Sequence, residues 1–316
     1  MPDSPTNIVD ISSHFFADVG HFIDETDFDG DGYPDLVRTI GNVFIEVQHS
    51  RIRRTNMLKS VTNPLGGKFT VDYQVVPLTY DNPQAMWVMS EVKIEDGYDL
   101  AGDGEDKMIT TFEYENARYD RREREFYGFE VVKTQDRLLT SEGKAGAVYR
   151  TVISKYHNRS YFLNGLLKEE VLLKGEDENT MYSRTLNTYV LKPTTTAGYC
   201  HTTAADLPLT FDVGGQEGRK SAVPLLIKTQ QYNYEGGKSP LITETRMEYD
   251  TFANVTKFLY KGNPTLTSDD YTTEITYYKI SELLSRARFM TGIPKMVQVK
   301  DSQGQIKRKS ESANIN

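Results

Sequence analysis

A single cysteine in 316 residues removes two classes of explanation at once. Cys200 can close no intramolecular disulfide, and without a CxxC pair there is neither a zinc knuckle nor a dithiol redox site. It reads as a small side chain in a loop or core. Apolar runs are short, none approaching the ~20 residues a membrane-spanning helix needs, so no membrane insertion is expected. The first residues, Met1 to Pro5, lack a basic region followed by an apolar stretch, and no signal peptide is read in this sequence. The chain begins and ends inside patterned material, as an excised part of a longer protein would. Positive charge is in deficit, with 37 Lys and Arg against 45 Asp and Glu. A net charge of −8 argues against a nucleic-acid partner, because phosphate neutralisation needs a basic surface. Helical periodicity is scarce too, and the best candidate is Ile280 to Phe289.

Aromatic residues are what the chain has in quantity, with 20 Tyr and 14 Phe. Such side chains favour pleated, half-buried surfaces. Short alternating runs bounded by Gly, Asn, Asp or Pro predict strands at Phe69–Tyr73, Thr110–Tyr114, Phe129–Thr134, Leu167–Lys174 and Tyr182–Leu191. One hairpin is predicted over Lys295–Lys309, turning at Asp301 to Gly304, and a second turns at Gly175 to Asn179. Strand after strand also ends in a polar residue followed by Tyr, at Tyr73, Tyr114, Tyr156, Tyr189, Tyr234, Tyr249 and Tyr277. Most of these lie about 30 to 45 residues apart, the spacing of repeated supersecondary units. Pro77 to Gln84 and Leu191 to Gly218 read as loops, the longer one as a surface excursion or a flexible connection.

One stretch carries a specific chemistry: Asp27-Phe28-Asp29-Gly30-Asp31-Gly32-Tyr33-Pro34-Asp35. Carboxylates at alternate positions, a carbonyl at Tyr33 and a further carboxylate at Asp35 offer the hard oxygen cage that Ca²⁺ prefers. An EF-hand would place a bidentate Glu at its twelfth position, where this chain has Arg38. With Pro34 and the strand-like Leu36-Val37 following, the expectation is a structural calcium loop between strands. A solvated acidic turn and another cation are the alternatives. A second acidic patch, Asp99, Asp103, Glu105 and Asp106, has poorer spacing and reads as a solvated loop.

Asp27 to Val37 resembles the FG-GAP or VCBS type of repeat, whose acidic loops bind calcium in β-propeller blades. Asn56 to Gly67, followed by Phe69-Thr70-Val71-Asp72-Tyr73, resembles the opening of the middle region of SpvB/TcdB-type toxin B components. Arg121-Arg122-Glu123-Arg124-Glu125-Phe126-Tyr127-Gly128-Phe129 is similar to the charged and aromatic-Gly-Phe string of that region. Tyr249-Asp250 with Asn254-Val255, and Gly292 to Lys295 leading into Asp301 to Gly304, resemble YD (Rhs) repeats. The resemblance implies a stretch of a hollow β-shell enclosing a toxic C-terminal polypeptide. The Arg-Tyr-Tyr-Asp-Pro core motif linked to self-cleavage is absent, as is an ADP-ribosyltransferase signature.

The expected architecture is therefore all-β: serial antiparallel hairpins of a YD/Rhs-type array or β-shell over 56–316, after a β-propeller-like remnant over 1–55 with the calcium loop. No G-x-S-x-G, H-E-x-x-H or P-loop occurs, and His14, His21, His49, His157 and His201 read as surface or interstrand residues. The expected role is non-enzymatic scaffolding in a secreted or surface-displayed bacterial protein. Its partners would be the rest of the parent chain, and an encapsulated toxin or a toxin-complex subunit. A carbohydrate- or protein-binding module is the rival reading, its aromatics serving as stacking platforms. The basic clusters Arg51, Arg53, Arg54 and Lys307, Arg308, Lys309 read as solvated strand faces or edge protection.

Overall fold

A computed structural model describes residues 23–40, 44–51, 56–83, 85–97, 107–140, 143–195, 197, 199–211, 221–234, 239–263, 266–278 and 291–312. The helix expected at Ile280 to Phe289 and the acidic patch from Asp99 to Asp106 lie outside them, as do Arg53, Arg54, His14 and His21. No helix occurs among the described residues. Strands β1 (Ile23–Thr26), β2 (Asp35–Ile40) and β3 (Phe44–Gln48) form an antiparallel three-stranded sheet.

The remaining fourteen strands make one sheet in unbroken chain order. They are β4 (Ser60–Thr62), β5 (Lys68–Val76), β6 (Met86–Glu95), β7 (Lys107–Asp120), β8 (Glu125–Leu139), β9 (Ala145–Tyr156), β10 (Leu167–Lys174), β11 (Met181–Pro193), β12 (Ala222–Asn233), β13 (Leu241–Tyr249), β14 (Val255–Lys261), β15 (Tyr271–Tyr277), β16 (Pro294–Asp301) and β17 (Ile306–Glu311). All five strands predicted from alternation fall inside these, as do both predicted hairpins, β10–β11 and β16–β17. By their internal contacts the residues divide into two compact units, Met1–Lys59 with Asp72–Met89 and Ser60–Val71 with Ser90–Asn316.

Within the second unit β10 shows the alternation most plainly. Glu169, Val171 and Leu173 are buried, while Lys168, Glu170 and Lys174 are exposed. The register places Thr151 opposite Leu173 and Gln135 opposite Thr151, so all share the buried face. Elsewhere most strand positions are half-buried on both faces, as along β14 and β15. Neighbouring strands shield such side chains from the sides, and little covers them from above. Aromatics serve as cross-strand pairs, as expected: Tyr260 and Tyr271 are register partners with ring centroids 5.0 Å apart.

The tyrosine repeat acquires a physical meaning in three of its copies. The pairing slips by one residue at Thr188/Tyr189, Glu248/Tyr249 and Thr276/Tyr277, placing a β-bulge at each tyrosine. Each hydroxyl then donates to a main-chain carbonyl 22 or 23 residues earlier: Tyr189 to Leu167 (3.2 Å), Tyr249 to Leu226 (2.6 Å) and Tyr277 to Val255 (2.9 Å). Burial raises the pKa of all three phenols. Tyr249→Phe strands the Leu226 carbonyl and should cost about 1 kcal/mol. Exposed Tyr149→Phe should stay within about 0.5 kcal/mol, both read from urea midpoints. Equal midpoints for the two variants would show that the hydroxyl is idle.

The string Arg121 to Phe129 is a hairpin turn and its anchor. Asp120 Oδ1 accepts the amides of Arg122 and Glu123, and Arg124 adopts a positive φ of 57°. Gly128, at φ 83°, allows a conformation that side-chain-bearing residues resist, two residues after the register shift opposite Arg118/Tyr119 begins. The carboxamide of Asn158 bonds the carbonyls of Asn116 and Gly128 across the strands (2.8 and 3.3 Å). Phe129 packs on Tyr114 and Phe126 with centroids 4.8 and 5.4 Å away.

The long loop after β11 is neither a free excursion nor a flexible tether over its described part. Leu191 bridges Leu207, Cys200 bridges Thr194, and Lys192 bonds Asp206 (2.6 Å) and the Ala204 carbonyl (2.8 Å). The loop lays Leu207 and Phe211 against Leu163, Leu191 and Ala222, with Phe162 stacked on Phe211 at 5.9 Å. Cys200 is buried beneath it, its amide on the Thr251 carbonyl (2.9 Å), as a small core side chain.

Candidate metal centre

The aspartate loop joins antiparallel β1 and β2, so strands rather than helices flank it. Its carboxylates bend the backbone into a tight coil. Asp27 accepts the amides of Gly30 and Gly32 (2.8 and 3.0 Å), Asp29 that of Asp31 (3.1 Å), and Asp31 that of Tyr33 (2.9 Å). Gly30 and Gly32 take φ values of 78° and 87°, which the coil needs.

The structure brings Asp27, Asp29 and Asp31 together: one oxygen of each lies within 4.8 Å of the others. Tyr33, selected for its carbonyl, follows directly with its ring half-buried. Asp35 is placed differently. It is 1% exposed and groups with Asp29 and His49. Its Oδ1 takes the Ser50 amide (2.7 Å), and its Oδ2 takes the Phe28 and Asp29 amides (2.9 and 3.3 Å). Burial works against its ionisation, but the amides of Ser50, Phe28 and Asp29, with His49, outweigh burial and hold its pKa below the usual carboxylate value. Asp35 is thus an ionised anchor that ties the loop to the end of β3.

His49, read from the sequence as a surface or interstrand residue, is exposed and stands beside the loop as well. Its Nδ1 lies 3.3 Å from Asp29 and 3.4 Å from Asp35. The signal lay in the hairpin: β2 and β3 pair Leu36 with Gln48, and one step further brings Asp35 opposite His49. His157 stands instead against the Tyr189 ring at 5.7 Å, and His201 is exposed.

Three converging carboxylates with an ionised fourth beside them repel one another, and a cation among them reverses the sign of that energy. Oxygen-only donors of this spacing match a hard divalent ion, for which Asp27, Asp29 and Asp31, with the Tyr33 carbonyl, could serve as ligands.

An all-β chain with a fourteen-stranded antiparallel meander and, in a separate three-stranded sheet, an acidic hairpin loop is the class that fold and site define, and the sequence narrows it. Residues 20–161 match the family described as insecticide toxin TcdB, middle/N-terminal region. No curated protein matches. Solved structures share the fold over most of the chain. The crystal structure of TcdB2-TccC3-TEV aligns with 90% of this chain and 17% of its own at 12% identity and a TM-score of 0.58. The Tc holotoxin pore of Photorhabdus luminescens does so with the same coverage at 14% identity and a TM-score of 0.59. The complex of TcdB2 and TccC3 without its hypervariable C-terminal region gives 14% and 0.58. At such identities the likeness shows the fold, and this chain spans about a sixth of the solved chains' length. Residues 20–161, less than half of the chain, are thus similar in sequence to the TcdB middle/N-terminal region, and the solved structures share the fold.

Proposed function

We propose that this chain is a non-enzymatic wall segment of a large secreted bacterial toxin-complex protein of the Rhs/YD type. Its sheet supplies surface to a shell enclosing a toxic polypeptide, and a partner subunit of the TccC kind is the protein that would complete it. The observation that carries this reading is the unbroken strand order of the fourteen-stranded sheet combined with its sparse core. Only nine apolar side chains are buried among the described residues. A closed sandwich would bury one face of nearly every strand. In the full-length parent, the enclosed segment should resist protease until denaturant opens the shell. Cleavage at the rate of the free polypeptide would overturn the wall reading.

In the same reading Asp27, Asp29, Asp31 and the Tyr33 carbonyl hold Ca²⁺, which supplies fixed positive charge to an otherwise self-repelling loop. Asp35 and His49 keep that loop fastened to the β2–β3 hairpin. Ion at a hundredfold excess over its dissociation constant stabilises the state that binds it by about 2.7 kcal/mol. Thermal unfolding of the first unit should therefore begin several degrees higher in calcium than in chelator, and Asp29→Asn should erase the difference. An unchanged midpoint with no bound metal would sink the assignment.

A glycan- or protein-binding surface is the second reading. The stacked Tyr260 and Tyr271, the latter 36% exposed, are the observation in its favour. A reproducible hit on a glycan array, lost in Tyr271→Ala, would establish it.

A further inference from the structure

The aspartate loop has a contact that its own residues do not explain. The connection from β5 to β6 returns to it from more than fifty residues away. Trp87 Nε1 donates to the Asp31 carbonyl at 3.0 Å. A Cβ on Gly32 would meet the same indole at 3.4 Å and the Ala85 carbonyl at 3.4 Å, and one on Gly30 would meet Leu78 at 3.5 Å. Both glycines are required for their positive φ, and the strap lies at van der Waals distance from where their Cβ atoms would stand. The returning segment is itself tied into a compact turn. Thr79 and Asn82 exchange main-chain hydrogen bonds of 2.8 and 3.2 Å, the Thr79 hydroxyl takes the Asn82 amide at 2.9 Å, and Asn82 is 1% exposed. All these residues belong to the first compact unit.

We infer that Trp87 is a positioning residue for the aspartate loop: Trp87, with Ala85 and Leu78 beside it as a strap, holds the backbone between Asp29 and Tyr33 in its ligand-presenting shape. This rests on the cation reading above. By fixing the Asp31 carbonyl, the indole fixes the peptide plane that separates Asp31 from Gly32. That plane directs the Gly32 amide to Asp27, and the Tyr33 carbonyl follows two peptide planes on. A loop shaped in advance binds its ion without first losing conformational entropy, so the strap acts on affinity. Binding in turn should tighten the strap, because the coupling between two sites is reciprocal.

Trp87 is the chain's one tryptophan, so its emission reports on this site. On adding Ca²⁺ to the full chain, followed in parallel by calorimetry, the emission should shift with the same midpoint as the heat. Trp87→Phe keeps an aromatic ring and loses the donor; its calcium affinity should fall about tenfold, the scale of one hydrogen bond. Its thermal midpoint in chelator should match the parent's, which separates positioning from general stability. Calcium heat without an emission change, and with undiminished affinity in Trp87→Phe, overturns the strap and leaves the cation reading standing. No calcium heat at all overturns both. Should Trp87→Phe fail to fold, the emission of the unaltered chain decides alone.

Discussion

Leu191→Ala should destabilise the second unit by about 3 kcal/mol, within the range for emptying a fully buried leucine site. Leu191 is 0% exposed and sits among Leu163, Ala222, Tyr189, Leu207 and Phe211. Those neighbours come from the sheet, from the turn after β9 and from the loop that folds over them. Three separate pieces cannot all relax into the vacated space, so most of the cavity should persist. Leu191→Met, which nearly conserves volume, should cost under about 1.5 kcal/mol. The exposed Leu241→Ala should lie near 0.5 kcal/mol or less. Urea midpoints of the three variants give the ranking. A loss below 1 kcal/mol for Leu191→Ala would mean that the loop does not cover the sheet in solution, and Leu207→Ala would then be silent as well.

Glu169→Gln should cost about 2 to 3 kcal/mol and change the acid limb of stability. Glu169 is 8% exposed and lies between two cations, with Oε2 2.8 Å from Lys155 Nζ and Oε1 2.6 Å from Arg184 Nε. Lys155 is its register partner on β9, and Arg184 sits diagonally across on β11. Burial opposes its ionisation, but the bonds and charges of Lys155 and Arg184 outweigh it, and the folded pKa falls below the ordinary 4.5. A lowered acid pKa stabilises the fold fully above the unfolded value and progressively less as pH drops through the folded one. The unaltered chain should accordingly lose stability below about pH 4.5 faster than Glu169→Gln does. Parallel acid limbs would remove Glu169 from the account. The cations are partly exposed, which keeps the expected cost at the lower end of the range for breaking buried pairs.

The strands were legible because alternation and punctuation act locally. Leu167–Lys174 could be read to the residue, since Glu169, Val171 and Leu173 against Lys168, Glu170 and Lys174 is a period-two pattern needing no tertiary context. The β16–β17 hairpin was equally plain from Asp301 and Gly304, the Asp capping its turn through the Gln303 and Gln305 amides. Residues that act at a distance were not legible. His49 reaches Asp35 only once β2 and β3 have paired, and Trp87 reaches Asp31 across 56 positions. The division of labour among the aspartates was hidden too. Spacing treats Asp35 as one more ligand, and the fold adds what spacing does not show: Asp35 is buried, accepts main-chain amides on both oxygens and groups with Asp29 and His49. The loop after β11 reads as irregular because Pro193, Gly198 and Gly214-Gly215 punctuate it, and the short alternation Leu207, Leu209, Phe211 that carries its anchors is easily lost among them.

The strand order has a consequence for how such a wall is made. Each strand of the larger sheet pairs with the strands just before and just after it in the chain, and none waits for a distant segment. Apart from the long connection from β11 to β12, loop closure is short from strand to strand, which favours fast, local folding. On a ribosome the sheet can lengthen one strand at a time, leaving open its β4 edge and its newest edge. In the chain as it stands that edge is β17, where every position is exposed and Lys307, Arg308 and Lys309 stand in a row. Charge of one sign on an open edge disfavours pairing with a second copy.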